Sequence, residues 1–323
     1  MFDNTHFPGA KKYLYMGKLF DWSQPAIHPM SHALHYGTSV FEGIRAYSTS
    51  GGPAIFRLPE HIDRFFHSAS TLFMEVPYSK EEIMNAIKLI IKENKLESAY
   101  IRPLLFYSYG NLGLVPEFSP AELVIGAWEW GAYLGDKTEK GVHVCISPWK
   151  RIHHSQLEMT AKFGGVYVQS AICGHLARSQ GFDEAVLLNL EGNVAEGPGE
   201  NIFIVKGEVL KTNDKAESIL EGITRASLLE IAKDLGYETQ IGPITKEDFF
   251  QADEAFFSGT AVEIVPIIRV TDNSSSQLQG EKKEYTIGSG KAGDITLQLA
   301  RTYNHAVRGK IKEYEKWLTY VYD

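Results

Sequence analysis

The chain has 323 residues, a formal net charge of −8 and two cysteines, Cys145 and Cys173, so it is long enough for two domains or one large one. The acidic balance, with no lysine/arginine block, argues against a nucleic-acid partner, and the two isolated cysteines form neither a metal nor a redox motif. No apolar run approaches the ~18 residues of a membrane span and Met1 to Lys12 shows no export or import pattern, so a cytoplasmic protein with no membrane partner is the expectation.

In chain order, Tyr13 to Leu19 reads as two short strand pieces about a turn at Gly17. Ser39 to Tyr47 alternates and is rich in β-formers, which predicts one strand, and Ala54 to Arg57 predicts another after the Gly51-Gly52-Pro53 turn. Pro59 to Met74 places Ile62, Phe65, Phe66, Ala69 and Leu72 on one helical face, and Lys80 to Asn94 does the same with five apolar residues. Ala99–Tyr107 and Ala121–Ala127 are apolar strands. Runs of helices and strands without regular βαβ alternation predict an α+β fold: a small domain over 1–130, a polar Gly-bounded linker over 131–141, and a larger β-rich domain over 142–323.

Beyond the linker, Val142–Ser147 opens a strand and Gly164–Arg178 reads as a helix. Glu184–Asn189 is a buried strand turning at Glu191-Gly192-Asn193, and Asn201–Val205 and Glu208–Leu210 flank a turn at Lys206-Gly207. Thr224–Leu235 is an amphipathic helix closed by Gly236, Glu254–Phe257 is a strand, and Asp294–Arg308 is the last helix. Gly288–Gly293 matches G-x-G-x-x-G, but too little chain follows it for a dinucleotide-binding unit, so it reads as a loop. His28, His32 and His35 lack the spacing and companions of a metal site.

Lys162 is the candidate reactive residue. It precedes Gly164-Gly165, where backbone or ligand can approach closely. The positive field of a helix starting there lowers the pKa of an amine, which suits a nucleophile and proton carrier; the competing reading is a solvated surface lysine. Glu196, in Ala195-Glu-Gly-Pro-Gly-Glu-Asn201, is either a solvated acid of a hairpin or a carboxylate turned into a site, able to hold a pyridinium N–H protonated. Thr224 after Gly222-Ile223, and Thr260 after Ser258-Gly259, suit either plain helix caps or a phosphate cradle. Tyr100 and Arg102 share one face of a strand and suit a carboxylate, with cross-strand pairing to an acid as the alternative.

Together these residues resemble the branched-chain amino acid aminotransferases, class IV pyridoxal phosphate enzymes of fold type IV. The likeness runs along nearly the whole chain, in Met30–Tyr47, Ala99–Leu104, Trp130–Gly135, Ala161–Gly165, Glu196–Asn201, Gly222–Arg225 and Ser258–Ala261. It implies transamination of leucine, isoleucine and valine with 2-oxoglutarate, giving branched 2-oxo acids and L-glutamate. It implies pyridoxal 5'-phosphate as cofactor, a two-domain α+β fold with the active site between the domains, and a homodimer or larger homo-oligomer. D-amino acid aminotransferases and the lyase acting on aminodeoxychorismate are the nearest alternatives; the Phe41-Glu-Gly-Ile-Arg45 run argues against the first.

By that resemblance Lys162 holds the cofactor and is the catalytic residue, Tyr167 lies against the cofactor's phenolic oxygen, and Glu196 pairs with its ring nitrogen. Arg64, Ile223, Thr224 and Thr260 take the phosphate. Tyr100 and the Thr260-Ala261 backbone take the substrate α-carboxylate. Arg102, Tyr133 and Tyr36 serve the side-chain carboxylate of glutamate, with Tyr36 reaching in from a second subunit. Phe41, Gly43 and Leu114 form the apolar wall. Glu221 and Asp294 depart from the family pattern, at loop positions only.

Overall fold

The computed structural model describes residues 5–24, 27–130, 140–274 and 283–322; Tyr133 and nearly all of the expected linker lie outside them. The chain divides into two compact units. The first is Met1–Gly131 with Ala161–Gly165 and His305–Asp323, and the second is Ala132–Thr160 with Val166–Asn304. Both mix helices with sheets that are mainly antiparallel, an α+β architecture.

In the first unit the strands are β1 (Lys12–Tyr15), β2 (Lys18–Asp21), β3 (Ser39–Phe41), β4 (Ile44–Thr49), β5 (Gly52–Phe56), β6 (Ala99–Tyr107), β7 (Ala121–Trp128) and the late β17 (Leu318–Tyr320). They form one sheet in the order β17-β5-β4-β6-β7-β1-β2, with β3 also paired to β6. Helix α1 (His32–Tyr36) precedes β3, and α2 (Leu58–Thr71) and α3 (Lys80–Asn94) follow β5. The helical spacing is realised: Ile62, Phe65 and Ala69 of α2 and Ile83, Ile87, Ile90 and Ile91 of α3 are buried. Each of the isoleucines and the phenylalanine stabilises by roughly 1.5–3 kcal/mol. Ser79 and Glu82 form a reciprocal capping box at the start of α3. At its other end the Asn94 side chain accepts from the Lys11 and Lys12 N–H groups, which fixes β1.

The second unit holds β8 (Val142–Ile146), β9 (Glu184–Leu188), β10 (Val194–Glu196), β11 (Asn201–Lys206), β12 (Val209–Thr212), β13 (Glu238–Ile241), β14 (Glu254–Gly259), β15 (Glu263–Asp272) and β16 (Lys283–Thr286). Their order is β10-β9-β8-β15-β14-β11-β12-β13, and because β10 also pairs with β11 six strands close into a ring. Val144, Val186, Ile202, Phe257 and Val265 fill its core. Helices α4 (Tyr167–Ser179), α5 (Ile223–Asp234), α6 (Lys246–Phe250) and α7 (Asp294–Ala306) complete it.

Two expected elements are corrected. The strand over Ser39–Tyr47 breaks into β3 and β4 at Glu42-Gly43, and the helix expected from Gly164 begins at Tyr167. Gly164 and Gly165 serve close packing: a Cβ on Gly164 would lie 2.2 Å from Ser39 Oγ, and one on Gly37 would lie 2.9 Å from Gly165 Cα.

Candidate active site

The β3–β4 break gives the first unit its chemical centre. Glu42 sits at the break with 0% of its surface exposed, its backbone N–H donating to Pro103 O of β6 at 3.0 Å. Its carboxylate accepts from Arg64 Nε at 2.6 Å, from the same guanidinium's Nη2 at 2.9 Å, and from His61 Nδ1 at 2.8 Å. His61 and Arg64 stand three residues apart on α2, hence on one face. Burial alone would raise the Glu42 carboxyl, but Arg64 and His61 outweigh it and hold it well below the usual carboxylate range. Burial lowers the His61 pKa despite Glu42, so the ring is neutral.

Lys162 is built into the same cluster. Its N–H donates to Ser68 Oγ at 2.9 Å, the Ser68 hydroxyl donates to Arg64 O at 2.9 Å, and Phe41 N–H donates to Lys162 O at 3.2 Å. The amine lies 4.9 Å from the centre of the Phe41 ring, and the Arg102 guanidinium 4.6 Å from the same centre. Arg102 Nη2 donates to the Tyr100 hydroxyl at 2.8 Å, so these two share a face as the strand period predicts. The Lys162 pKa is pushed down to about 8, first by burial of the amine and next by the Arg64 charge, against the opposing pull of Glu42 and Tyr100. The low pKa does not come from a helix N-terminus, because α4 starts five residues later.

In the second unit Glu196 ends β10 and is buried, with Arg151 Nη2 2.9 Å from Oε1. Its Oε2 accepts from Asn201 Nδ2 at 3.3 Å and from Leu220 N–H at 3.2 Å. Asn201 Nδ2 also donates to Leu220 O at 2.8 Å, and a Cβ on Gly222 would lie 2.1 Å from Asn201 Oδ1, so Asn201 joins Glu196 to the turn that opens α5. Gly222 is the N-cap of α5 and no side chain caps the first turn, where Ile223 and buried Thr224 stand. Thr224 is thus no capping residue but brings its N–H to a positive helix end. The register Asn201↔Ser258 sets the end of β14 beside β11, with Thr260 and Ala261 in the following turn. Burial and the charge of Glu184 push the nearby Glu200 carboxyl up to about 8.

The first unit therefore assembles Phe41, Gly43, Arg64, Tyr100, Arg102 and Lys162, and the second brings Glu196, Ile223, Thr224, Thr260 and Ala261 to one end of its sheet, with Tyr167 at the start of α4. Tyr36 and Leu114 are 45% and 78% exposed, and Tyr36 OH donates to Leu112 O at 3.0 Å on the surface. Of the three histidines, His32 bonds Thr38 Oγ1 and Gly113 O, and His35 bonds Pro29 O. Among the described residues no cluster of metal-ligating side chains occurs. Sequence reasoning missed Glu42, His61, Ser68 and Arg151: Glu42 and His61 pair across 19 residues, Ser68 meets Lys162 across 94, and Arg151 meets a glutamate on another element.

The sequence profile described as "Amino-transferase class IV" matches residues 39–270, and the chain belongs to that family. A relative from Pseudomonas aeruginosa, named branched-chain-amino-acid aminotransferase, is 42% identical over 309 residues, covering 95% of this chain and 96% of its own length. Among solved structures, a T.th. branched-chain amino acid aminotransferase complexed with N-(5'-phosphopyridoxyl)-L-glutamate superposes with a TM-score of 0.89 at 44% identity, over 97% of this chain and 99% of that one. The same enzyme complexed with 4-methylvaleric acid gives 0.89 at 43% identity over the same shares. Among the described residues no helix is long and apolar enough to cross a membrane.

Proposed function

We propose that this chain transfers the amino group of branched-chain L-amino acids (leucine, isoleucine and valine) to 2-oxoglutarate, yielding branched 2-oxo acids and L-glutamate, with pyridoxal 5'-phosphate held by Lys162. The observation that carries the reading is the Lys162 amine, drawn down to about 8 by burial and Arg64 and set against Phe41. The ligands of the T.th. enzyme support the substrate pair: 4-methylvaleric acid has the carbon skeleton of leucine, and the other ligand carries glutamate.

The residues fit the cofactor on three counts. A lysine of lowered pKa can bond an aldehyde. The uncapped first turn of α5, with Thr224 and the Thr260 turn, suits a phosphate. The buried Glu196 carboxylate suits a ring nitrogen that must stay protonated. Bound there, the cofactor supplies an electron-withdrawing ring that acidifies the amino acid's α-carbon.

The chain's own groups do the rest. Lys162 anchors the cofactor and, once displaced, carries the α-proton; burial and Arg64 favour the neutral amine that this needs by lowering its pKa to about 8. Arg64 takes phosphate charge, and Tyr167 takes the phenolic oxygen. Tyr100, Thr260 and Ala261 orient the α-carboxylate. Arg102, beside the apolar ring of Phe41, lets one pocket take either a branched side chain or a carboxylate, and Tyr133 belongs to the same set. The exposed surface carrying Tyr36 and Leu114 is the face through which a second copy adds these two residues, so the working form is a homodimer or larger homo-oligomer, in the cytoplasm.

The test is glutamate formation from 2-oxoglutarate with L-leucine and with D-leucine. L-specific turnover is expected, and turnover of D-leucine alone would sink the assignment. Lys162→Ala must lose both turnover and the visible absorbance of the bound cofactor. Glu196→Gln must keep the cofactor and slow the chemistry.

A further inference from the structure

The fully buried Glu42 has no part in the proposed transfer, yet three side-chain bonds converge on it. Both of its oxygens are engaged by one edge of the Arg64 guanidinium, at 2.6 and 2.9 Å, and His61 Nδ1 braces the second oxygen at 2.8 Å. Its main chain is fixed as well, by the bond from its N–H to Pro103 O. A bidentate carboxylate locks a guanidinium in its plane, and a guanidinium locked along one edge faces a second ligand in one direction only. Buried ion pairs seldom out-stabilise a well-packed apolar core, so what such a pair fixes is geometry. Arg64 is also tied to Lys162, because Ser68 accepts from the Lys162 N–H and donates to the Arg64 carbonyl.

We propose that Glu42 is the positioning residue for phosphate recognition: with His61 as its brace it sets the direction of the Arg64 guanidinium. The inference rests on the proposed role of Arg64 as a ligand of the cofactor phosphate. An arginine on a helix could reach a phosphate from several rotamers, and each would carry the phosphate to a different place relative to the Lys162 amine. A fixed guanidinium selects one of them. The Lys162 main chain is itself bonded to Ser68 and Phe41, so the residues proposed for both ends of the cofactor are tied to α2 and β3.

The experiment separates phosphate recognition from general damage. Purified enzyme is stripped of cofactor and titrated with pyridoxal phosphate and, separately, with pyridoxal, which has no phosphate. Glu42→Gln keeps the side-chain shape, removes the negative charge and replaces one acceptor oxygen by an NH2 donor. It should weaken pyridoxal phosphate by about tenfold and leave pyridoxal unchanged. Arg64→Gln should show the same selectivity, and the double variant should lose little more than either alone, because the two residues act as one unit. If Arg64→Gln binds pyridoxal phosphate as the parent does, the phosphate role of Arg64 fails and this inference falls with it. If Arg64→Gln is impaired and Glu42→Gln is not, the role of Arg64 stands and that of Glu42 is overturned. Equal loss of both ligands in Glu42→Gln marks a merely structural residue and also overturns it. Should that variant not fold, Glu42→Asp keeps the charge and withdraws it by one methylene. Selective weakening of pyridoxal phosphate is again expected, and no loss, or equal loss of both ligands, again overturns the role.

Discussion

The Tyr100 hydroxyl occupies the space into which a side chain at position 43 would grow: a Cβ on Gly43 would lie 2.1 Å from that oxygen. No real Cβ sits so near, so Tyr100 can approach β4 only because residue 43 is glycine. The same hydroxyl accepts from Arg102 at 2.8 Å, and a displaced Tyr100 takes its partner with it. Gly43→Ala should therefore leave the protein folded and lower kcat/KM for leucine by about tenfold or more, since overpacking of this kind costs about 1–3 kcal/mol and misplaces a binding group. Steady-state kinetics beside a thermal unfolding curve check it, and unchanged kinetics would remove Tyr100 from the site.

Lys162 gives a pH signature in the cofactor-free protein. Its pKa in the folded state, about 8, lies below the ordinary lysine value of about 10.4. The folded state therefore binds fewer protons than the unfolded chain between those values, and protonated Lys162 opposes folding. That penalty is fully present below pH 8 and fades as the pH rises from 8 towards 10.4. Lys162→Met removes it, so the variant should exceed the parent in stability by more at pH 7 than at pH 10. Urea unfolding at the two pH values measures the difference, and a constant difference contradicts the assigned burial of the amine.

The helices and strands that the sequence discloses are those whose signal is local. The apolar faces of α2 and α3 repeat within a few residues, and β6 shows Tyr100 and Arg102 two apart on one side. Lys162 and its two glycines stand out locally as well, but the helix start that prompted their reading lies at Tyr167. The split of Ser39–Tyr47 is not legible, because an alternating strand signal runs straight through Glu42-Gly43, whose contacts at the break are with a helix residue 22 positions later and a tyrosine on another strand. The start of α4 is misplaced because Gly164 and Gly165, which look like a helix opening, are used to pack against Ser39 and Gly37. The partner of Glu196 stays hidden likewise, since nothing near Arg151 distinguishes it from a surface arginine.

That partner carries a stability prediction. Arg151 and Glu196 are each 5% exposed and 2.9 Å apart. Arg151→Met leaves a buried carboxylate without its guanidinium partner, beside Asn201 Nδ2 and the Leu220 N–H at 3.2–3.3 Å. Removing one member of a buried pair costs about 3–5 kcal/mol, whereas removing both charges costs far less. Arg151→Met should therefore unfold at markedly lower denaturant, and Arg151→Met/Glu196→Gln should recover most of the loss. If the double variant is no more stable than the single one, the charge of Glu196 is not what Arg151 compensates.

The surface around α1 predicts the assembly. Leu34, Tyr36, Leu112, Leu114, Val115 and Phe118 are all exposed, the last to 74%. Part of this surface is tied together: His32 bonds Gly113 O, Tyr36 OH donates to Leu112 O, and Ser31 forms a bridge with Tyr109, which joins α1 to the start of the segment that carries the other apolar residues. Contiguous apolar surface on an ordered framework marks a protein contact, and a second copy of this chain is the proposed occupant. A charge in the middle of such a face is desolvated on association and has no partner in the symmetric copy. Phe118→Asp should shift the protein to monomer in sedimentation with its helix and strand content unchanged. Because Tyr36 and Leu114 are proposed to act in the neighbouring copy, turnover should fall with the fraction of dimer and recover at high protein concentration. A fully active Phe118→Asp monomer would show that one chain carries the complete site.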